Sequence, residues 1–175
     1  AIRFGMGAIK GVGASAVKAI VDERKSNGPY NSIFDLSQRV DLRAANKKAF
    51  DGLTAAGAFD SFNIDRAQYF HDNGDGITFI EKILRHGNKF QENKNSSQVS
   101  LFAGTNDLQI SNPVIPEVEP WPTIEKLAKE KEVVGIYISG HPLDDFRVEM
   151  ESFCNGDVSV FKSPKEFVNK EITVA

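Results

Sequence analysis

Apolar residues recur at spacings of three and four through the first ninety positions of the chain. Ile9, Val12, Ala16, Val17, Ile20 and Val21 predict two helices over residues 4–27, folded on a glycine turn. Ser15 stands at the start of the second run, placed to accept an orphan helix N–H. Asn27-Gly28-Pro29 closes that run, since glycine suits the C′ position and proline cannot continue a helix. Short helices follow at residues 32–39, with Ile33, Phe34 and Leu36 inward, and at 46–56, before Gly57. Two more are predicted at 65–72 and at 76–86, the latter with Phe79, Ile80, Ile83 and Leu84 on one stripe. Phe34, Leu36, Phe50, Leu53 and Phe59 are the candidate core.

The pattern changes after residue 86. Residues 87–121 are rich in Asn, Ser, Gln and Pro, and Pro113, Pro116, Pro120 and Pro122 favour an extended course. A segment of this length without helix or strand pattern reads as a linker or a functional excursion. Helix returns at 123–134, with Thr123 as its cap, and at 144–153 for a turn or two. The tail, 170–175, has strand character but no partner strand, which reads as a piece of a longer protein. The expected division is 1–90, a helical domain; 91–122, a linker; and 123–175, a helical connector.

Composition narrows the class. No apolar run approaches the roughly 18 residues of a membrane span. One cysteine, Cys154, excludes a disulfide framework, and with three histidines it leaves no structural zinc site. The first ten residues carry no secretion signal, so a cytoplasmic setting is expected. The net charge of −3 conceals an asymmetry: residues 1–100 balance at +3 and residues 101–175 at −6. A basic front and an acidic back suit two parts with different partners.

The most informative local pattern is Ile9-Lys10-Gly11-Val12-Gly13 ahead of the apolar helix. An apolar-Gly-apolar-Gly turn between helices is a helix-hairpin-helix. Its glycines let the chain approach a ligand closely, and it aims unpaired N–H groups and a helix N-terminus outward, toward a phosphate. Lys10 and Lys18 add Coulomb attraction to a DNA backbone; the competing reading is that Gly11 and Gly13 only close a tight turn. A degenerate second copy runs from Asn46-Lys47-Lys48 to Ala56-Gly57-Ala58-Phe59-Asp60 and the helix with Arg66. With one glycine at its turn, this copy serves either as a second grip or as packing. Gln98-Val99-Ser100-Leu101-Phe102 sets two large apolar residues in polar surroundings. That is the form of a peptide that docks in a partner's groove, and equally of one that folds back on its own domain.

Other chemistry fails on spacing. In Asp72-Asn73-Gly74-Asp75-Gly76, a calcium-loop register puts His71 and Lys82 where carboxylates belong. Gly5-Met6-Gly7 and Gly11-Val12-Gly13 follow no predicted strand, so they make no dinucleotide fingerprint. Ser139-Gly140-His141-Pro142 reads as a turn, without an acid to complete a triad. Asp144-Asp145 is a solvated face.

These segments, with Ser32-Ile33-Phe34-Asp35-Leu36 and the block from Glu130 through Gly135 and Gly140-His141-Pro142 to Leu143, resemble the alpha subunits of bacterial replicative DNA polymerase III, the C-family polymerases. The resemblance covers nearly the whole chain. It implies a mainly α fold: a tandem helix-hairpin-helix domain, a long polar linker, then one or two helices leading to the truncated first strand of an OB domain. It implies that Lys10, Gly11, Val12, Gly13, Ser15, Lys18, Lys47, Lys48, Gly57 and Arg66 hold duplex DNA. It further implies that Gln98, Val99, Ser100, Leu101 and Phe102 dock on the sliding clamp (the beta subunit), with Val99 shorter than the family's commoner Leu. Other replicase subunits would be reached through the parent protein. The parent would be a DNA-directed DNA polymerase, whereas this piece would hold no catalytic carboxylates, cofactor or metal. A repair nuclease or ligase module, a non-catalytic helical scaffold, and an error-prone paralogue are the other readings.

Overall fold

The apolar stripes of the front half close on one another in the computed structural model, which describes residues 4–95, 111–156 and 171–174. Helices α1 (Ala14–Asn27), α2 (Ile33–Arg39), α3 (Lys47–Ala55), α4 (Arg66–Phe70) and α5 (Phe79–Asn95) surround a core of Ile33, Phe50, Leu53, Tyr69, Phe79, Ile80 and Ile83. Most of these helices are too short to stand alone in water. Burial of each large apolar side chain, on the order of 1.5–3 kcal/mol, is what holds them. Aromatic edges knit the core: Phe34 meets Phe79 edge-on at 6.2 Å, and Phe59 lies 5.6 Å from Phe50 and 6.1 Å from Tyr69. Local signals start the helices. Ser32 accepts from the Asp35 N–H, Asn46 from that of Ala49, and Asp65 forms a capping box with Gln68.

Several expectations shift. The helix expected before the first glycine turn is a single 3₁₀ turn, Met6–Ala8, because Gly5 before it and Gly7 within it are poor helix formers. Ser15 caps nothing; the N-cap of α1 is Gly13, and no side chain caps that end. α5 continues past His86 to Asn95, and Gln91 ties the added turns to α2 by donating to the carbonyls of Ser37 and Val40, each at 2.9 Å. Helix α6 (Thr123–Val134) has the bounds predicted for it, but Pro122 rather than Thr123 occupies its N-cap.

The domain division also moves. The chain separates into Ala1–Ile138 and Ser139–Ala175, so α6 belongs with the front helices rather than with a connector. Part of the expected linker is attached as well. Pro116 is buried, its carbonyl accepts from Gln68 at 2.6 Å, and Trp121 stacks on Phe70 with ring centroids 5.4 Å apart. In the second unit, a 3₁₀ turn at Asp144–Phe146 leads into α7 (Arg147–Phe153). Asp144 is not simply solvated: its carboxylate accepts from the His141 N–H at 2.6 Å and closes the predicted turn. Near the tail, Gly156 and Val174 form one isolated parallel bridge, and no longer strand occurs among the described residues.

Two contacts organise this unit, one seating the first turn on α3 and the other tying α3, α4 and α6 together. Gly52 lies on α3 where an added Cβ would meet the Lys10 carbonyl oxygen at 2.6 Å, so the turn rests directly on helix backbone. Near the C-terminus of α3, Arg66 is 5 % exposed and forks onto Asp60 through Nε at 2.9 Å and Nη2 at 2.7 Å. Its Nη1 donates to the Ala55 carbonyl at 3.1 Å and to Glu130 of α6 at 2.7 Å. Burial alone would lower the Arg66 pKa, but the hydrogen bonds it donates to Asp60 and Glu130 prevail and raise it above its ordinary value. Glu130 is fully buried, and its second oxygen accepts from the Ile138 N–H at 2.9 Å.

Gly52→Ala should lower the stability of the full chain in a urea titration by up to about 2 kcal/mol, from about 1–3 kcal/mol of overpacking less a helix-propensity gain of about 1 kcal/mol. A stability raised by about 1 kcal/mol, the propensity gain alone, would exclude the close approach. Arg66→Met strands the buried Glu130 carboxylate and should cost about 3–5 kcal/mol in the same titration. The exposed Arg147→Ala control should shift the midpoint little.

Candidate nucleic-acid interface

The first hairpin turn is shaped by its seat. Gly11 has φ +88°, a conformation that L side chains rarely adopt, and an added Cβ would lie 3.1 Å from both the Cγ and the carbonyl oxygen of Lys48. Lys48 and Gly52 are four apart on α3 and therefore share one face, along which the Lys10–Gly11 peptide lies. Val12 is 6 % exposed and packs inward, so its expected role as a DNA contact is corrected to one of anchoring the turn. Two N–H groups of the turn are also already used: that of Lys10 donates to the Val133 carbonyl of α6 at 2.8 Å and that of Val12 to the Ile9 carbonyl at 3.0 Å.

What remains outward is a coherent surface. Lys10, Gly13, Ser15 and Lys18 are exposed around the start of α1, and Lys47 and Lys48 are exposed in the first turn of α3. Neither helix has an acidic residue in its first turn, so the positive ends of both dipoles stand uncompensated there. The end of α1 has no side-chain cap, leaving its first N–H groups for an outside acceptor. Lys47 pairs with Asp51 at 2.9 Å across one helical turn, an exposed pair that a phosphate can displace.

The second glycine turn differs. After α3, Gly57 takes φ +80° and closes a Schellman motif, with Gly57 N–H on the Thr54 carbonyl and Ala58 N–H on that of Leu53, both at 2.9 Å. A Cβ on Gly57 would collide with the Arg66 guanidinium. Gly57 is half-buried and Arg66 buried, and the DNA-contact expectation for Arg66 gives way because its donors face Asp60, Ala55 and Glu130. Sequence reading missed Gly52 and Glu130. A glycine inside a helical pattern was a legible signal of close approach; a glutamate in a helix of alternating Glu and Lys offered none. Residues 98–102 lie outside the described residues.

A family described as helix-hairpin-helix motif matches residues 1–69. DNA polymerase III subunit alpha of Xylella fastidiosa is 34 % identical over 162 residues, covering 90 % of this chain and 13 % of the relative. The subunit of the same name from Thermus aquaticus is 37 % identical over 142 residues, covering 81 % and 11 %, and that of Deinococcus radiodurans 35 % over 143 residues, covering 82 % and 10 %. The chain therefore spans only about an eighth or less of the length of these relatives, yet the likeness extends well beyond the hairpin motif. Among the described residues, no helix is long and apolar enough to cross a membrane. On this homology the chain belongs to the bacterial DNA polymerase III alpha-subunit family and corresponds to a helical segment of it that carries a helix-hairpin-helix motif.

Proposed function

We propose that this segment holds the sugar-phosphate backbone of duplex DNA without reading its sequence, and that a peptide beside it docks on the sliding clamp, so that a polymerase stays on its template. The observation that carries the DNA reading is the seat of the Lys10–Gly11 turn on α3, which puts the uncapped start of α1 and the lysine-bearing start of α3 around one exposed surface. Lys10, Lys18, Lys47 and Lys48 supply charge, while Gly13 and the first amides of α1 supply N–H donors. The second hairpin turn is a packing element in this reading.

The clamp reading rests on Gln98, Val99, Ser100, Leu101 and Phe102 and on homology to replicative polymerase subunits. Leu and Phe in a groove would contribute on the order of 1.5–3 kcal/mol each, less the cost of ordering the segment. Such a contact is modest alone and effective when DNA is held by the same chain. Polymerisation is assigned to the whole parent protein, and the part of this segment in it is grip. A repair nuclease or ligase module would share the hairpin but would leave the homology across 81–90 % of the chain unexplained.

Affinity for a mixed-sequence duplex should fall with salt with a log–log slope of about −2 to −3, as for two or three phosphates. Lys10→Glu should flatten that slope by about one and weaken binding; a salt-independent signal would refute the backbone grip. For the clamp, purified clamp titrated against the wild-type chain and against a Leu101→Ala, Phe102→Ala double variant should bind only the former. Equal affinities would remove the clamp assignment.

A further inference from the structure

The Lys10 peptide is held from two sides by elements that do not belong to its own hairpin. Its carbonyl faces Gly52 of α3, and its N–H donates to Val133 in the last turn of α6 at 2.8 Å. Carbonyls in the last turn of a helix have no partner within the helix, so Lys10 also completes the end of α6. Val133 and Val134 pack on the hydrophobic core, and Gly135 closes the helix with its N–H on the Lys131 carbonyl at 2.9 Å.

One turn before Val133, Glu130 sets where that carbonyl lies. Its two oxygens are gripped from opposite chain directions, by Arg66 at 2.7 Å and by the Ile138 N–H at 2.9 Å. Arg66 is in turn locked to Asp60 and to the Ala55 carbonyl at the end of α3. Polar contacts thus run from the C-terminal end of α3 through Arg66 to Glu130, and the backbone of the last turn of α6 connects Glu130 to the acceptor of the Lys10 peptide.

We infer that Glu130 is a positioning residue for DNA binding: by fixing the last turn of α6, it holds the Lys10–Gly11 turn in the form that meets phosphate, though it is itself buried. This rests on the reading of the first hairpin as the DNA grip. Without Glu130, the turn keeps its seat on α3 but loses the fixed acceptor for the Lys10 N–H. The binding-competent form then becomes one of several, and apparent affinity drops by the fraction lost. If a fifth of the molecules retain the competent turn, the dissociation constant rises about fivefold.

The test uses the full chain with Glu130→Gln, which keeps an acceptor for the Ile138 N–H but loses the charge facing Arg66, and Glu130→Asp, which restores the charge on a shorter arm. Each is assayed below its own unfolding midpoint for affinity to a mixed-sequence duplex, for salt slope, and for hydrogen exchange at the Lys10 amide without DNA. The inference expects Glu130→Gln to exchange faster at Lys10 and to bind about fivefold more weakly with an unchanged salt slope, since the bound form and its phosphate contacts stay the same; it expects Glu130→Asp to recover part of the exchange protection and of the affinity. A Glu130→Gln chain that melts earlier yet keeps wild-type affinity and Lys10 exchange would overturn it. Lys10→Glu in the otherwise native chain separates the two readings. If that change leaves DNA binding intact, the hairpin assignment itself fails; if it weakens binding while Glu130→Gln does not, only the positioning role fails.

Discussion

The peptide between Ile9 and Gly11 is where the rest of the front unit converges. Its carbonyl lies against a helix that offers no side chain at Gly52, and its N–H is taken by the final turn of α6. A larger residue at position 52 would push the turn off its seat, and a displaced α6 would leave both the Lys10 donor and a helix-end acceptor unsatisfied. Because Val12, two residues on, is anchored in the core, the turn cannot relieve either strain by swinging outward. The exposed lysines and the free end of α1 inherit their positions from this one constraint.

Arg66 and Glu130 extend it. A charged pair withdrawn from water gives up solvation that its Coulomb attraction only partly returns, so net stability is a poor explanation for it. Direction is a better one. The planar guanidinium presents donors at fixed angles, and here they reach Asp60, the carbonyl ending α3, and Glu130 together. An apolar pair of the same volume would fill the space without specifying how α6 is rotated against α3. The fork links the second glycine turn to the geometry of the first.

Local structure was largely legible in the chain. The helices at Ile33–Arg39, Lys47–Ala55 and Thr123–Val134 lie within a residue or so of the predicted spans, because apolar spacing and the side chains of Ser32 and Asn46 act within four positions. Errors arose where a distant partner decided the matter. α5 outran its pattern because α2 supplies acceptors for Gln91, and the proline-rich segment was read as loose because nothing local announces that Trp121 stacks on Phe70. The candidate site divided in the same way, since Lys10, Gly11, Lys18 and Lys48 could be picked out by residue type and spacing, whereas the assignment of Arg66 to a phosphate surface could not survive its burial.

The sequence by itself determined the class of the fold, the glycine turns and the family, for each is carried by residues close together in the chain. Tertiary structure alone decided which cations near the two turns stay outward. Arg66 meets a carboxylate 64 positions away, and that pairing, invisible to any local pattern, commits the arginine after the second turn to the interior. Basic residues near a glycine turn look alike in one dimension. Burial, which depends on what the rest of the chain brings to the same place, separates a cation that can meet a phosphate from one already matched inside.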